Sequence, residues 1–318
     1  MVVYHGGEEL SPCVTALGFF DGVHLGHRAL LAEAKAEADR LALPLAVLTF
    51  PSDSPIKQGA PRIYGDGEKL LLLSSCGADE VYFCDFNAVR DMEPEEFVRK
   101  ILVGKLHAKA AVCGFNFRFG KAAGGDAALL ARLAGAQGCR AIVLPPYRAE
   151  GGILSATKIR SALAAGEIGR ANSLLGAPYF LLGSVRHGRG FGHTIGLPTA
   201  NFDLPGDLIL RRGVYRTAVV IGEEKLPALT NIGVCPTFGV RALHAETFIP
   251  GFSGDLYGRD FRLDFLGFLR DERVFPSAEE LKKQINVDIL TANEQNEADL
   301  YYKKEEVKWQ EAGQNLPR

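Results

Sequence analysis

The sequence predicts two domains of different class: a doubly wound parallel α/β domain, then an antiparallel β-barrel or sandwich that ends in a helix. Three observations carry this. From residue 13 to about residue 147, short apolar runs alternate with stretches of helical periodicity, the pattern of strands buried on both faces and joined by crossover helices. From about residue 179 to residue 265, short β-type segments follow one another across Gly-rich turns, with no helical stretch between them. The chain has 318 residues, about two domains' worth at roughly 100–200 residues each.

In the first half, strands are expected at residues 14–19, 45–50, 80–84, 110–114 and 141–144. They are short apolar runs bounded by turn residues. Helices are expected between them at residues 28–41, 69–76, 95–106 and 126–137, where apolar residues recur at helical spacing. Two short helical stretches follow Ile159. The second half reads as β at residues 179–185, 213–221, 227–233, 244–248 and 261–266. Helix formers return from Ala278, and residues 293–318 read as a charged surface helix with a frayed end. The character changes at Gly176-Ala177-Pro178, which sets the expected domains at residues 1–177 and 178–318.

Hydrophobic residues make up 47% and charged residues 23%, which excludes a wholly disordered chain and a collagen-like or coiled-coil fibre. Thirty-six basic against thirty-eight acidic residues leave a net charge of −2. That balance gives no electrostatic case for a nucleic-acid or anionic-membrane partner. The longest uncharged stretches, residues 171–185 and 226–240, both contain Pro and Gly and fall short of the ~18–20 apolar residues a membrane span needs. The N-terminus lacks the basic and apolar regions of a secretory signal, so a cytoplasmic chain without a membrane partner is expected. Six cysteines occur without a C-x-x-C pair and read as reduced core thiols.

The first chemical motif is Gly18-Phe19-Phe20-Asp21-Gly22-Val23-His24-Leu25-Gly26-His27, between a predicted strand and a predicted helix. A Gly-containing turn there offers backbone N–H groups and the helix dipole to a phosphate, and two histidines add donors to the same anion. The alternative is half of a metal site, for which no third ligand accompanies the pair. Asn116, Phe117 and Phe119 follow a predicted parallel strand. They are either core residues at a strand end or aromatic faces for a flat ring at the carboxyl edge of the sheet, where ligands of such folds bind. Arg160, with Ser155 and Thr157, either binds phosphate or caps its surroundings. In the second half the Gly-rich run from Gly183 to Gly196 suits nucleotide phosphates, and Thr199 and Asn201 offer neutral oxygens to Mg²⁺. Glu246 is either a proton acceptor for phosphoryl transfer or a solvated side chain on an alternating strand.

Taken in order, these motifs resemble the bacterial bifunctional riboflavin kinase/FMN adenylyltransferase family. The run from Gly18 to His27 resembles its nucleotidyltransferase signature, Gly114 to Gly120 its flavin-side loop, and Ser155-Ala156-Thr157-Lys158-Ile159-Arg160 its phosphate-contacting segment. In the second half the resemblance continues through Gly183-Ser184-Val185-Arg186-His187-Gly188, Gly192, Gly196-Leu197-Pro198-Thr199-Ala200-Asn201, Asn231-Ile232-Gly233, Glu246 and Leu269-Arg270. It spans roughly residues 14 to 288.

The resemblance implies a Rossmann-like nucleotidyltransferase domain and a β-barrel riboflavin kinase domain. It also implies ATP as co-substrate, Mg²⁺ as cofactor, and riboflavin, FMN and FAD as small-molecule partners. The nucleotide side would comprise Gly18, Phe20, Asp21, Gly22, Gly26, Ser155, Thr157, Arg160, Gly183, Val185, His187, Gly188, Gly192, Gly196 and Pro198. The flavin side would comprise Asn116, Phe117, Phe119 and Arg270. His24 and His27 would serve adenylyl transfer, Glu246 would be the kinase base, and Thr199 and Asn201 would hold the metal. Four departures stand out. The strand ending at Phe50 runs into Pro51-Ser52-Asp53-Ser54-Pro55 where the family has Phe-Glu/Asp-Pro-His-Pro, and Asn116, Ala156 and His193 replace a usual Asp, Ser and Arg. A kinase with an impaired adenylyltransferase domain and a non-catalytic flavin-binding regulator are the alternative readings.

Overall fold

The computed structural model describes residues 1–55, 61–185, 199–204, 208–237, 240–252, 254, 256 and 258–294. They form two compact units, one of residues 1–156 and one that begins at Thr157.

The first unit is built on six strands, β1 (Val2–Tyr4), β2 (Cys13–Leu17), β3 (Leu45–Thr49), β4 (Glu80–Phe83), β5 (Ala108–Gly114) and β6 (Arg140–Leu144). They pair in the order β1-β4-β3-β2-β5-β6, every pair parallel. Every residue of β2 and β3 is buried, which is why these runs are continuously apolar rather than alternating. From β2 the chain runs to β3 and β4 on one side, then crosses to β5 and β6 on the other. The order therefore reverses between β2 and β5, and the crevice at the carboxyl ends of those two strands is the place where such sheets take ligands.

Three helices, α1 (Leu25–Leu41), α2 (Asp66–Ser75) and α3 (Ala127–Gly135), connect the strands. Helix α1 starts one turn before the expected residue 28, because His24 caps it. The helix expected at residues 95–106 is α-helical only over Pro94–Phe97 and then π-helical over Val98–Lys105. There the Leu106 N–H reaches back to the Ile101 carbonyl, and a Cβ on Gly104 would lie 2.9 Å from the Arg99 carbonyl oxygen, so the wide turn closes on a glycine. Strand β1 was not expected, since a three-residue edge strand has no readable period.

The second unit opens with α4 (Ala156–Ala165) and α5 (Ile168–Leu175). Its sheet comprises β7 (Tyr179–Ser184), β8 (Thr199–Asp203), β9 (Gly213–Ile221), β10 (Glu224–Thr237), β11 (Val240–Phe248) and β12 (Asp260–Arg270). The order is β7-β12-β9-β10-β11-β8, antiparallel throughout. The sheet curls until its two edges approach, where Gly183 of β7 lies against the Phe202 ring of β8. Inside it, the Tyr215 ring meets Phe265 and Phe268 edge-on, and Phe202 meets Phe261 in the same way. Helix α6 (Ala278–Glu294) follows the sheet and begins where the sequence places it; residues 295–318 of the expected tail lie outside the described residues.

Asn172 ties α5 to this sheet, accepting from the Tyr179 N–H at 2.7 Å and donating to the Phe265 carbonyl at 2.9 Å. Helices α4 and α5 therefore belong to the second compact unit, ahead of the composition change at residue 178. No helix among the described residues is long and apolar enough to cross a membrane.

Cys13, Cys76, Cys84, Cys113 and Cys139 are free thiols. Burial pushes the Cys13, Cys113 and Cys139 thiols up to about 11 and Cys84 to about 12. Since the thiolate is the reactive form, these four should be alkylated at pH 8 at least about tenfold more slowly than the partly buried Cys76. Mass-spectrometric mapping of a timed alkylation of the folded protein checks this.

Candidate active sites

Strand β2 ends at Leu17 and the chain makes a tight turn before α1. Phe20, Gly22 and Val23 all have positive φ, at 52°, 88° and 38°. For Phe20 and the β-branched Val23 that conformation is strained and persists only where packing over-determines it; both side chains are fully buried. The turn delivers His24 to the N-cap of α1, where its Nδ1 accepts the His27 N–H at 3.3 Å. Nδ1 being an acceptor, the neutral ring carries its proton on Nε2. The two imidazoles stack with centroids 3.7 Å apart and planes 11° from parallel, and Phe20 meets His27 edge-on at 5.3 Å. A Cβ on Gly26 would stand 3.3 Å from the His24 ring and 3.2 Å from Tyr147 Cβ, so this position must stay small for the histidines to pack. The result is two aligned imidazoles at the start of a 17-residue helix, a place suited to an anion. Among the described residues, no group of three or more His, Cys, Asp or Glu is placed to hold a metal ion.

Gly18 lies at the strand end, its N–H donating to the Leu48 carbonyl. Asp21 is 3% exposed and accepts the Ile63 N–H at 3.2 Å, so its carboxylate anchors the segment before α2. The turn after β3 is pinned from the same helix. Ser52 N–H donates to Asp66 Oδ1 at 2.8 Å, and Lys69 Nζ donates to the Phe50 carbonyl at 2.7 Å. Sequence reasoning missed Asp66 and Lys69. The signal was there for Lys69, which shares a helical face with the apolar Leu72 and Leu73.

At the end of the neighbouring β5, the Phe117 N–H closes a turn on the Gly114 carbonyl at 3.0 Å. Asn116 is exposed and Phe117 half-buried. Phe119 is 6% exposed, stacked on Phe117 at 5.8 Å and packed on Phe97 at 5.5 Å. It belongs to the core, so of the two aromatics expected to face a ligand it supports the other from behind. Ser155 lies at the end of the first unit, whereas Thr157 and Arg160 stand on α4 of the second.

In the second unit, strand register assembles a polar face. Asn201 of β8 lies opposite Glu246 of β11, which lies opposite Asn231 of β10. Directly opposed residues share a face, and so do residues two apart, so Thr199 and His244 join them. Asn201 is buried, donates through Nδ2 to the Thr199 carbonyl at 3.2 Å and accepts on Oδ1 from His244 Nε2 at 3.0 Å. His244 also stands 3.9 Å from Glu246 Oε1, whose side chain is 53% exposed. Sequence reasoning missed His244, because no motif marks it; it enters through register. On the opposite face Thr217, Thr230 and Thr247 link hydroxyls at 2.8 and 2.9 Å, all buried. The donors on the Glu246 face are oxygens of neutral side chains beside a carboxylate, a hard set that suits Mg²⁺ together with substrate phosphates.

Gly183 and Val185 sit at the end of β7, with the Val185 N–H donating to the Arg259 carbonyl. His187, Gly188, Gly192, His193, Gly196 and Pro198 lie outside the described residues. Arg270 is engaged by Asp288 of α6, its Nε and Nη2 reaching the carboxylate at 2.8–3.1 Å with both side chains largely buried. The guanidinium expected on the flavin side thus serves first to fasten the closing helix to the sheet.

Two family models match the chain, one described as FAD synthetase over residues 7–158 and one as riboflavin kinase over residues 175–296. The chain is 38% identical over 289 residues to the bifunctional riboflavin kinase/FMN adenylyltransferase of Escherichia coli K12, covering 89% of this chain and 92% of the relative. It is 35% identical over 301 residues to the protein of that name from Pseudomonas fluorescens, covering 92% and 97%. A crystal structure described as a macrolide-efflux protein from Streptococcus pneumoniae is 29% identical, with a TM-score of 0.82, and covers 92% of this chain and 99% of that one.

The Asp21 anchor is open to a direct check. Asp21→Ala leaves a buried amide without this acceptor, at about 1–3 kcal/mol, so the Ile63 amide should exchange with solvent roughly tenfold faster or more in native-state hydrogen exchange.

Proposed function

The chain belongs to the bifunctional riboflavin kinase/FMN adenylyltransferase family, and on that premise we propose that it carries out two consecutive ATP-dependent reactions in two sites. In the first, riboflavin takes the γ-phosphoryl group of ATP to give FMN and ADP; in the second, FMN takes the adenylyl group of ATP to give FAD and pyrophosphate. The observation that carries the reading is the separation of chemistry between the units. One offers a carboxylate in register with amide oxygens, the other two stacked imidazoles at a helix N-terminus, and the two family matches divide between them in the same way.

In the kinase site the riboflavin hydroxyl must lose a proton as its oxygen bonds to the γ-phosphorus. Glu246 is exposed enough to meet a substrate and takes that proton. Thr199 and Asn201 would hold Mg²⁺, which when bound neutralises phosphate charge. His244 keeps the Asn201 carboxamide turned toward that face. The Gly-rich run from Gly183 to Pro198, with Val185, His187, Gly188, Gly192 and Gly196, is assigned to the nucleotide phosphates, to which Gly-rich backbone is suited. Arg270, held by Asp288 and by the Asp271 carbonyl, is assigned to the border of the flavin.

In the adenylyltransferase site the attacking FMN phosphate is already an anion, so no general base is required. The chain instead aligns the two phosphates and stabilises the charge that develops on the α-phosphate and the departing pyrophosphate. His24 and His27 do this, with Gly18, Phe20, Asp21, Gly22 and Gly26 shaping the turn and Ser155 contributing to phosphate binding. Asn116 and Phe117, backed by Phe119, present the flavin side. The alternative of a non-catalytic regulator draws no support from a site that retains Glu246, and an impaired first domain draws none from intact His24 and His27. The reactions fit a cytoplasmic protein whose partners are riboflavin, FMN, FAD and ATP.

Glu246→Gln should lower FMN formation by about 10²–10⁴ while FMN-to-FAD conversion stays near wild type, because an amide cannot accept the hydroxyl proton. Unchanged FMN formation, followed by chromatography of flavin products, would remove Glu246 from this role, and equal damage to both rates would point to misfolding or a shared site. Conversely, His27→Ala should lower FAD formation from FMN by roughly a hundredfold with riboflavin phosphorylation unaffected. The functional boundary proposed at residues 177/178 is tested by two fragments. One starting at Thr157 should phosphorylate riboflavin with a sharper urea transition than one starting at Pro178, which lacks the Asn172 bonds; a Thr157 fragment that folds yet phosphorylates nothing would overturn the kinase assignment.

A further inference from the structure

We infer that Lys69 is a positioning residue for adenylyl transfer, its buried ammonium locking together the two turns that shape the phosphate-handling edge of the first sheet. The inference rests on the assignment of that reaction to His24 and His27.

Lys69 lies in the first turns of α2 and is 2% exposed, an unusual situation for an ammonium group. Its Nζ donates to the Phe50 carbonyl at 2.7 Å, at the point where β3 gives way to the Pro51–Ser54 turn. The same Nζ stands 4.8 Å from the centroid of the Phe19 ring and 5.9 Å from that of Phe83, both within range of a cation–π attraction. Asp66 Oδ1 is 3.9 Å away and also accepts the Ser52 N–H, so the counter-charge is itself bonded to the turn. Phe19 opens the turn that ends at His24. Its carbonyl accepts from Thr49 Oγ1 at 2.9 Å and its ring stacks on Phe50 at 6.5 Å. One cation therefore grips the backbone of one turn and an aromatic ring of the other, and both turns leave the carboxyl edge of the sheet. Burying a charge opposes folding, and an apolar side chain of similar length would fill the same space without that penalty. Packing does not account for the ammonium; fixing two turns relative to each other does.

The test replaces Lys69 in the full chain with Met, which keeps the stem and removes the charge, and with Arg, which keeps the charge. FMN adenylylation, riboflavin phosphorylation and thermal melting are measured on the same preparations. Lys69→Met is expected to lower the kcat of FAD formation by about 10–100-fold, the order produced by a misplacement of roughly 1 Å. KM for ATP should stay within about threefold, because the loss falls on the transition state. Riboflavin phosphorylation should be unchanged and the melting temperature not reduced, and Lys69→Arg should recover part of the rate. Wild-type kcat in Lys69→Met, or a loss that only follows a lowered melting temperature, would overturn the inference. Should Lys69→Met not fold, Asp66→Asn loosens the same turn, and unchanged kcat there would overturn it equally. His27→Ala run in parallel separates the two layers. Loss in His27→Ala with none in Lys69→Met refutes only the role of Lys69, whereas full activity in His27→Ala refutes the site assignment beneath it.

Discussion

Parallel pairing of β2 with β5 is the contact on which the first unit depends. Both strands are interior, with Cys13, Val14 and Ala16 opposite Ala108, Ala110 and Val112, and a doubly wound sheet can reverse its winding only between two such neighbours. Because helices cover both faces, the free backbone is at the strand ends, and the reversal leaves a gap there that no crossover fills. The histidine turn after β2 and the aromatic loop after β5 consequently emerge side by side. The strained φ values of Phe20 and Val23 are affordable because both side chains are sunk in the core, and the strain in turn brings His24 into capping position.

The second unit depends on a different constraint. In its antiparallel sheet a slip of one residue would send every side chain to the other face, so the polar face of Asn201, His244, Glu246 and Asn231 exists only in the observed register. The threonine hydroxyl row on the opposite face helps to hold it, since Thr230 bonds to both Thr217 and Thr247 across three strands. The ion pair between Arg270 and Asp288 then fixes α6 to the end of β12. It is nearly buried and bidentate, a geometry in which removing either partner strands a charge.

On the proposed assignment, the two sites solve different chemical problems with correspondingly different materials. Moving a phosphoryl group onto a hydroxyl requires a proton acceptor, and the second unit supplies an exposed carboxylate close to hard oxygen donors. Moving an adenylyl group onto an existing phosphate anion requires charge stabilisation and alignment alone, and the first unit supplies helix dipole, imidazoles and rigid turns.

The sequence by itself determined the class of each unit, the strand–turn–helix setting of His24-Leu25-Gly26-His27, the core placement of Cys13, Cys84, Cys113 and Cys139, and the order of motifs that marks the family. All of these depend on near neighbours in the chain, on periodicity and on the identity of turn residues. Tertiary structure alone decided the fate of residues whose partners are distant. Asn201 meets His244 across 43 positions, Arg270 is claimed by Asp288 on a separate helix, Phe119 turns inward against Phe97, and α5 joins the second sheet through Asn172. Lys69 stands between the two cases, for its place on an apolar helical face was readable while its grip on Phe50 and Phe19 was not. A periodicity specifies which face of an element is buried; it does not specify what lies opposite, because that depends on register and on packing between segments the chain brings together only when it folds.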